Sequence, residues 1–201
     1  MIAALTGMGL SAAAGLNAYI PFLIVGLIAR FTDLIVLPAG WTWIESWWAL
    51  GIAAVLLLAE VVFDKVPAVD SVNDAIQTFI RPTMGGLIFA ATQAAAGLDN
   101  SAWMQEHPWV GIVLGVVLSG LVHTGKMAAR PVVNVSTAGV GAPVVSTVED
   151  VFSAGLSLIA VFLPLLVIVA LALLAWLLIW MWLRVRRWRR NRAAGVHPDY
   201  A

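Results

Sequence analysis

The chain has 201 residues, of which 62 % are hydrophobic, with a mean hydropathy of +0.96; an ordinary soluble domain is about half apolar. Eleven basic residues balance eleven acidic ones, and cysteine is absent. These values predict an integral membrane protein and exclude disulfides and thiolate metal sites.

Apolar runs near residues 1–29, 46–63, 83–98, 108–125 and 151–183 fit membrane spans, which need about 20 residues each. The predicted fold is all-α, with five transmembrane helices and an external N-terminus, or six as the alternative count. Residues 1–183 form a single transmembrane domain, and residues 184–201 a basic cytoplasmic tail. The first run has no basic stretch before it, unlike a cleaved signal peptide. After the second run, Val69, Val72, Ile76, Phe79 and Ile80 recur at helical spacing opposite Asp70, Asp74, Gln77 and Arg81. Bounded by Pro67 and Pro82, this segment predicts a short amphipathic helix, interfacial or tucked into the bundle, with a solvated polar face as the simplest reading of Asp70, Asp74 and Arg81. Residues 131–146 are rich in Val, Gly, Ser, Thr and Pro, which predicts an irregular or re-entrant segment.

Ser146 and Glu149 match a capping box opening the last helix. From there to Arg184 the only turn signal is Pro164, and one continuous helix would be about 55 Å long. It must therefore kink and project from the membrane, or fold back as two short spans. Arg184, Arg186, Arg187, Arg189, Arg190 and Arg192, flanked by Trp176, Trp180, Trp182 and Trp188, read as an aromatic belt followed by a cytoplasmic anchor. Nothing in the sequence suggests a fold that would present these arginines to nucleic acid.

A weak internal repeat links two Trp-led spans. Trp48, Gly51 and Ile52 lead to Asp64 and Lys65; Trp109, Gly111 and Ile112 lead to His123 and Lys126. Each polar end is followed by an Arg-Pro pair, Arg81-Pro82 or Arg130-Pro131. Two related hairpins after an N-terminal span would put both charged segments on one side of the membrane, with a site at their interface.

The ionisable residues at these ends are the candidate site. Gly111, Gly115, Ser119 and His123 form a stripe of small residues that lets another helix approach, so His123 should face protein. It would bind a proton or cation, or make a structural hydrogen bond. Glu60 and Asp64 share a helix face as cation or proton ligands, or as salt-bridge partners of Lys65 or Lys126. Asp74 completes the acids of the first hairpin, and Lys126, Arg130 and Asp150 complete the second, with Asp150 expected opposite Arg130. Asn17, inside the first run before Pro21, is a further candidate, or the satisfied amide of a kinked helix. Glu60, Asp64 and His123 are the metal-ligand candidates, although no compact metal motif is present. The small-residue stripe of Thr83, Gly86, Ala90, Gln93 and Gly97 suggests helix packing, with Gln93 as an alternative lining of the site. No hydrolase elbow, Walker loop or dinucleotide fingerprint appears, so neither an enzyme nor a cofactor is expected.

The run from Ser11 to Tyr19, then Glu60 to Asp74 with its Asp64-Lys65, Pro67, Asp70-Ser71 and Asp74 motif, then Arg81-Pro82, resembles a bacterial family of small multispanning membrane proteins. That family is catalogued as a domain of unknown function. The resemblance covers nearly the whole chain up to the basic tail. It implies a bacterial inner-membrane protein and brings no established activity. A looser similarity is to cation exchangers whose paired acidic motifs end in Asp-Lys. Here His123 and Lys126 stand where the acids would repeat, and no ligand is carried over. The function expected is a small transporter or channel-like protein for an ion or small polar solute, working as a homo-oligomer. The alternative is a non-transporting assembly, scaffold or lipid-organising protein with structural salt bridges.

Overall fold

In a computed structural model, which describes residues 1–64, 67–95, 102–137 and 141–193, the apolar run expected as one first span is two helices. α1 (Ile2–Leu16) ends at Asn17, whose backbone is extended, and α2 (Tyr19–Phe31) begins two residues later. Asn17 causes this break as much as it follows it. Its side-chain Oδ1 accepts the backbone N–H groups of Tyr19 (3.0 Å) and Ile20 (3.2 Å), which have no partner inside α2. Pro21 then falls in the first turn of α2, where a missing N–H costs nothing. The expected kink at Pro21 is instead a helix end one turn earlier.

A loop containing a 3₁₀ turn (Thr42–Glu45) leads into α3 (Trp47–Phe63). α4 (Pro67–Ala94), the short α5 (Ala102–Glu106), α6 (Pro108–Ser136), α7 (Gly141–Phe162) and α8 (Leu166–Ala193) follow. The described residues form helices and no strand, and α6, α7 and α8 are long and apolar enough to cross a membrane.

α1 is the central helix. Gly7, Gly9, Ala12, Ala13, Ala14 and Gly15 are all buried, because α4, α6, α7 and α8 pack around it. Small side chains permit such close approach where lipid supplies no hydrophobic drive between helices. A Cβ on Gly15 would meet the Ser119 carbonyl and Val122, and one on Gly9 would meet Ala160.

α4 departs from expectation at Pro82, which does not end it, and takes the tucked-in alternative, with its polar face buried rather than solvated. Val72, Ile76 and Phe79 are exposed, while Asp74, Gln77 and Arg81 are buried. The helix is amphipathic, but in the orientation suited to lipid, with the apolar face outward. Its partner is α6, where Gly111, Gly115 and Ser119 receive Phe89, Gly85 and Gly86, so the stripe does serve close approach.

The expected irregular segment 131–146 is largely helical. α6 continues through Pro131 to Ser136 and α7 starts at Gly141, with residues 138–140 outside the described set. Ser146 therefore lies inside α7 rather than at its cap. The last apolar run takes the fold-back option, breaking at Leu163–Leu165 around Pro164. Ser153 on α7 hydrogen-bonds Ala13, and Ala160 lies near Gly9, so α7 runs antiparallel to α1. Val167 then packs near Gly9, and Leu171 and Leu174 pack against Ala12, Ala13 and Val122, so α8 returns alongside α1.

The Trp-led ends of α3 and α6 are exposed, and Arg30 lies 4.1 Å over the Trp47 ring. The charged ends are brought together at the other end of the bundle. Gly115→Ala is expected to destabilise the protein by about 1–3 kcal/mol, because its Cβ would strike the Gly85 backbone. Gly155→Ala, where a Cβ meets nothing within 4 Å, should be neutral or stabilising by up to about 1 kcal/mol. Thermal unfolding in detergent checks both; equal melting temperatures would refute the packing account.

Candidate functional site

Arg81 is fully buried near the middle of α4 and organises one half of the site. Its Nη2 donates to Glu60 Oε1 in the last turn of α3, and its Nη1 donates to the Gly15 carbonyl (3.3 Å) and to His123 Nδ1 (3.2 Å). Ser119 Oγ holds the Arg81 backbone carbonyl at 2.7 Å. A guanidinium can only donate, so Nδ1 of His123 accepts and the ring proton is on Nε2. That N–H donates to Thr78 Oγ1 (3.1 Å), which in turn donates to the Asp74 carbonyl (2.8 Å). His123 is thus held neutral in one tautomer by its neighbours.

The other half gathers around Asp64, just past the end of α3. Asp64 accepts from Asn73 Nδ2 (2.7 Å), Arg130 Nη2 (3.0 Å) and Ser146 Oγ (3.5 Å), with Lys126 Nζ 3.5 Å away. Burial acts to raise its carboxyl, yet Lys126 and Arg130 together hold it below the usual carboxylate range. Glu149 bridges Lys126 (2.9 Å) and Arg130 (3.2 Å), and Arg130 Nη1 lies 3.3 Å from Asp74. Lys126 also donates to the Leu16 carbonyl (3.2 Å).

The end of α1 joins the two halves. Its last carbonyls, Gly15 and Leu16, have no helical partners and carry the negative end of the helix dipole, so Arg81 and Lys126 satisfy both hydrogen bonding and charge. Asn17 Nδ2 reaches across to Asp150 Oδ1 on α7 (2.9 Å). Tyr19, at the start of α2, is buried beside Glu60, Gln77 and Arg81. From Trp47 to Glu60 and from Trp109 to His123 the helices rise about 20 Å each, so the site lies well inside the bundle.

Six expected site residues meet in this network: Glu60, Asp64, Asp74, His123, Lys126 and Arg130. Asn17 and Asp150 pair with each other at its edge. Several assignments change. Glu60 pairs with Arg81 rather than with a lysine, and Glu149, expected as a cap partner, takes the place opposite Arg130 foreseen for Asp150. Lys65 lies outside the described residues, as does the side chain of Asp70. The metal candidates Glu60, Asp64 and His123 each bind other partners, and the described residues hold no group of three or more acids or histidines suited to a metal ion.

Arg81, Asn73, Gln77, Thr78, Ser146 and Tyr19 were not expected in the site. The four-residue spacing of Asn73, Gln77 and Arg81, opposite an apolar face, was the signal available. In a membrane such a polar stripe points inward. Among the buried side-chain atoms, Glu60 Oε2, Asp74 Oδ1, Gln77 Oε1 and Arg81 Nε have no hydrogen-bond partner.

The model of a domain of unknown function, DUF4126, matches residues 4–184, and the chain belongs to that family. No curated protein and no solved structure matches it. Arg81→Leu is expected to lower stability by about 3–5 kcal/mol, because it strands the buried Glu60 carboxylate. The double substitution Glu60→Leu with Arg81→Leu should recover a good part of that loss. Melting in detergent measures both, and a double variant no better than the single would show that the pair is not the cause.

Proposed function

We propose that this member of a family of unknown function is a small membrane transporter or channel-like protein for an ion or small polar solute, with the charged network as its site. The observation that carries the proposal is the break between α1 and α2 inside that network. Discontinuous helices whose ends meet charged groups are how many transporters build a binding site, because free helix ends supply polar backbone at membrane depth. Here the end of α1 faces Arg81 and Lys126, and the start of α2 lies beside Glu60.

The side of the membrane follows from the fold-back at Pro164. It brings the Arg-rich end of α8 to the same side as Lys126 and Arg130, and the positive-inside rule then puts that side in the cytoplasm. The charged segments then lie on the cytoplasmic side, as in the six-span alternative, although the split first run departs from that count; the proposed location is a bacterial inner membrane. The extensive apolar exposure on α3, α7 and α8 suits lipid and leaves room for contact between copies. A rival proposal, a non-transporting assembly or lipid-organising protein, draws support from Asp64, which is saturated with partners as a structural salt bridge would be.

Flux separates the two. Proteoliposomes challenged with a panel of inorganic ions and small polar solutes are expected to show at least one rate above protein-free liposomes. His123→Ala should cut that rate about tenfold, equivalent to about 1.4 kcal/mol on the barrier. No flux for any solute, with His123→Ala changing only the melting temperature, would favour the structural alternative.

A further inference from the structure

Glu60 uses only one of its two carboxylate oxygens. Oε1 receives Arg81, while Oε2 is buried with no hydrogen-bond partner. Gln77, one helical turn before Arg81 on the same face of α4, carries an equally unpartnered acceptor in Oε1. Both residues are only 2 % exposed, and Gln77 reaches the Tyr19 hydroxyl at the start of α2. A buried acceptor without a donor is satisfied when a carboxyl takes up a proton and so becomes a donor itself.

The carboxylates of Glu60, Asp64, Asp74 and Glu149 share the cations Arg81, Lys126 and Arg130. Acids placed close together relieve their mutual repulsion when one of them takes up a proton. Of the four, Asp64 and Glu149 are each held by two cations. Asp74 is held through one oxygen by Arg130. Glu60 is bonded to Arg81, which has other acceptors in Gly15 and His123. The charged and titratable groups facing Glu60 are Arg81 from α4, Lys126 from α6, Tyr19 from α2 and Asp64 beyond its own helix.

We propose that Glu60 Oε2 is a proton-binding site and that, in the transporter proposed above, this proton is the coupling ion. The coupling role rests on that functional proposal; the proton site does not. A proton from water adds to Oε2, and the new O–H donates to Gln77 Oε1. The carboxylate loses its charge. Arg81 stays charged and keeps the Gly15 carbonyl and His123 Nδ1. Release of the proton restores the Glu60–Arg81 ion pair. One titration thus switches the partners of the group that ties α3, α4, α6 and the end of α1 together.

Infrared difference spectroscopy of the full chain in lipid bilayers across a pH titration, with no solute added, tests this. One protonated carboxylic C=O band is expected to titrate in the wild type, persist in Asp74→Asn and vanish in Glu60→Gln. Gln77→Leu, which removes the acceptor, should shift the band in frequency without abolishing it. Glu60→Asp, which keeps the acid should Glu60→Gln not fold, should move the band rather than remove it. The proposal is overturned if no band titrates, if the band survives Glu60→Gln, if Asp74→Asn alone removes it, or if sodium at fixed pH displaces it. Flux with no such band leaves transport standing and refutes the proton site. A titrating Glu60 band with no flux of any solute supports the proton site and refutes transport.

Discussion

A guanidinium with no exposed surface, in the middle of a helix whose other side is an exposed apolar face, constrains everything near it. Arg81 needs an anion and acceptors that water cannot supply. Glu60 at the end of α3, the Gly15 carbonyl at the end of α1 and the Nδ1 of His123 on α6 supply them. Three helices are therefore fixed to a fourth through one side chain. The requirement reaches into the backbone as well, since α1 must end here for its carbonyls to be free. The glycine and serine contacts between α4 and α6 bring His123 within reach of Arg81.

The inside-out distribution follows from the same constraint. Valine, isoleucine and phenylalanine on α4 face outward and cost nothing in lipid, so the hydrophobic effect does not choose how these helices associate. Close packing of small residues and satisfied polar groups must choose instead. The glycines determine how near the helices come, and the network determines their register. Asp64 shows the second effect, since its partners Asn73, Arg130 and Ser146 lie on three different helices. Sliding any one of these helices by a turn would leave a buried charge unpaired.

The charge positions and apolar runs in the sequence were enough to bring together Glu60, Asp64, Asp74, His123, Lys126 and Arg130, and to predict the packing stripe on α6. What they could not give was helix continuity. Proline rules learned from soluble proteins ended α4 at Pro82, but inside a bundle the freed carbonyl one turn earlier can find other partners, and the helix continues. The break at Asn17 was hidden for the opposite reason. It lies in an unbroken apolar run, and only the capping geometry of the Asn side chain marks it. Arg81 was assigned to a solvated face because amphipathic spacing reports which residues share a face, not which medium the face meets.

The network contains two kinds of acid, and the difference bears on what can move. Asp64 is locked by four partners, so a change in its charge would weaken its bonds to two cations and two neutral donors at once. Glu60 has one bonded cation and an unpartnered oxygen, so a change in its charge weakens one ion pair and leaves its other oxygen able to donate. A group of the first kind stabilises a single arrangement of helices. A group of the second kind allows two arrangements of similar energy, which is the condition for a switch in a packed interior. Both acids lie within one turn of each other at the end of α3, so one helix end holds the bundle together at Asp64 and leaves it adjustable at Glu60.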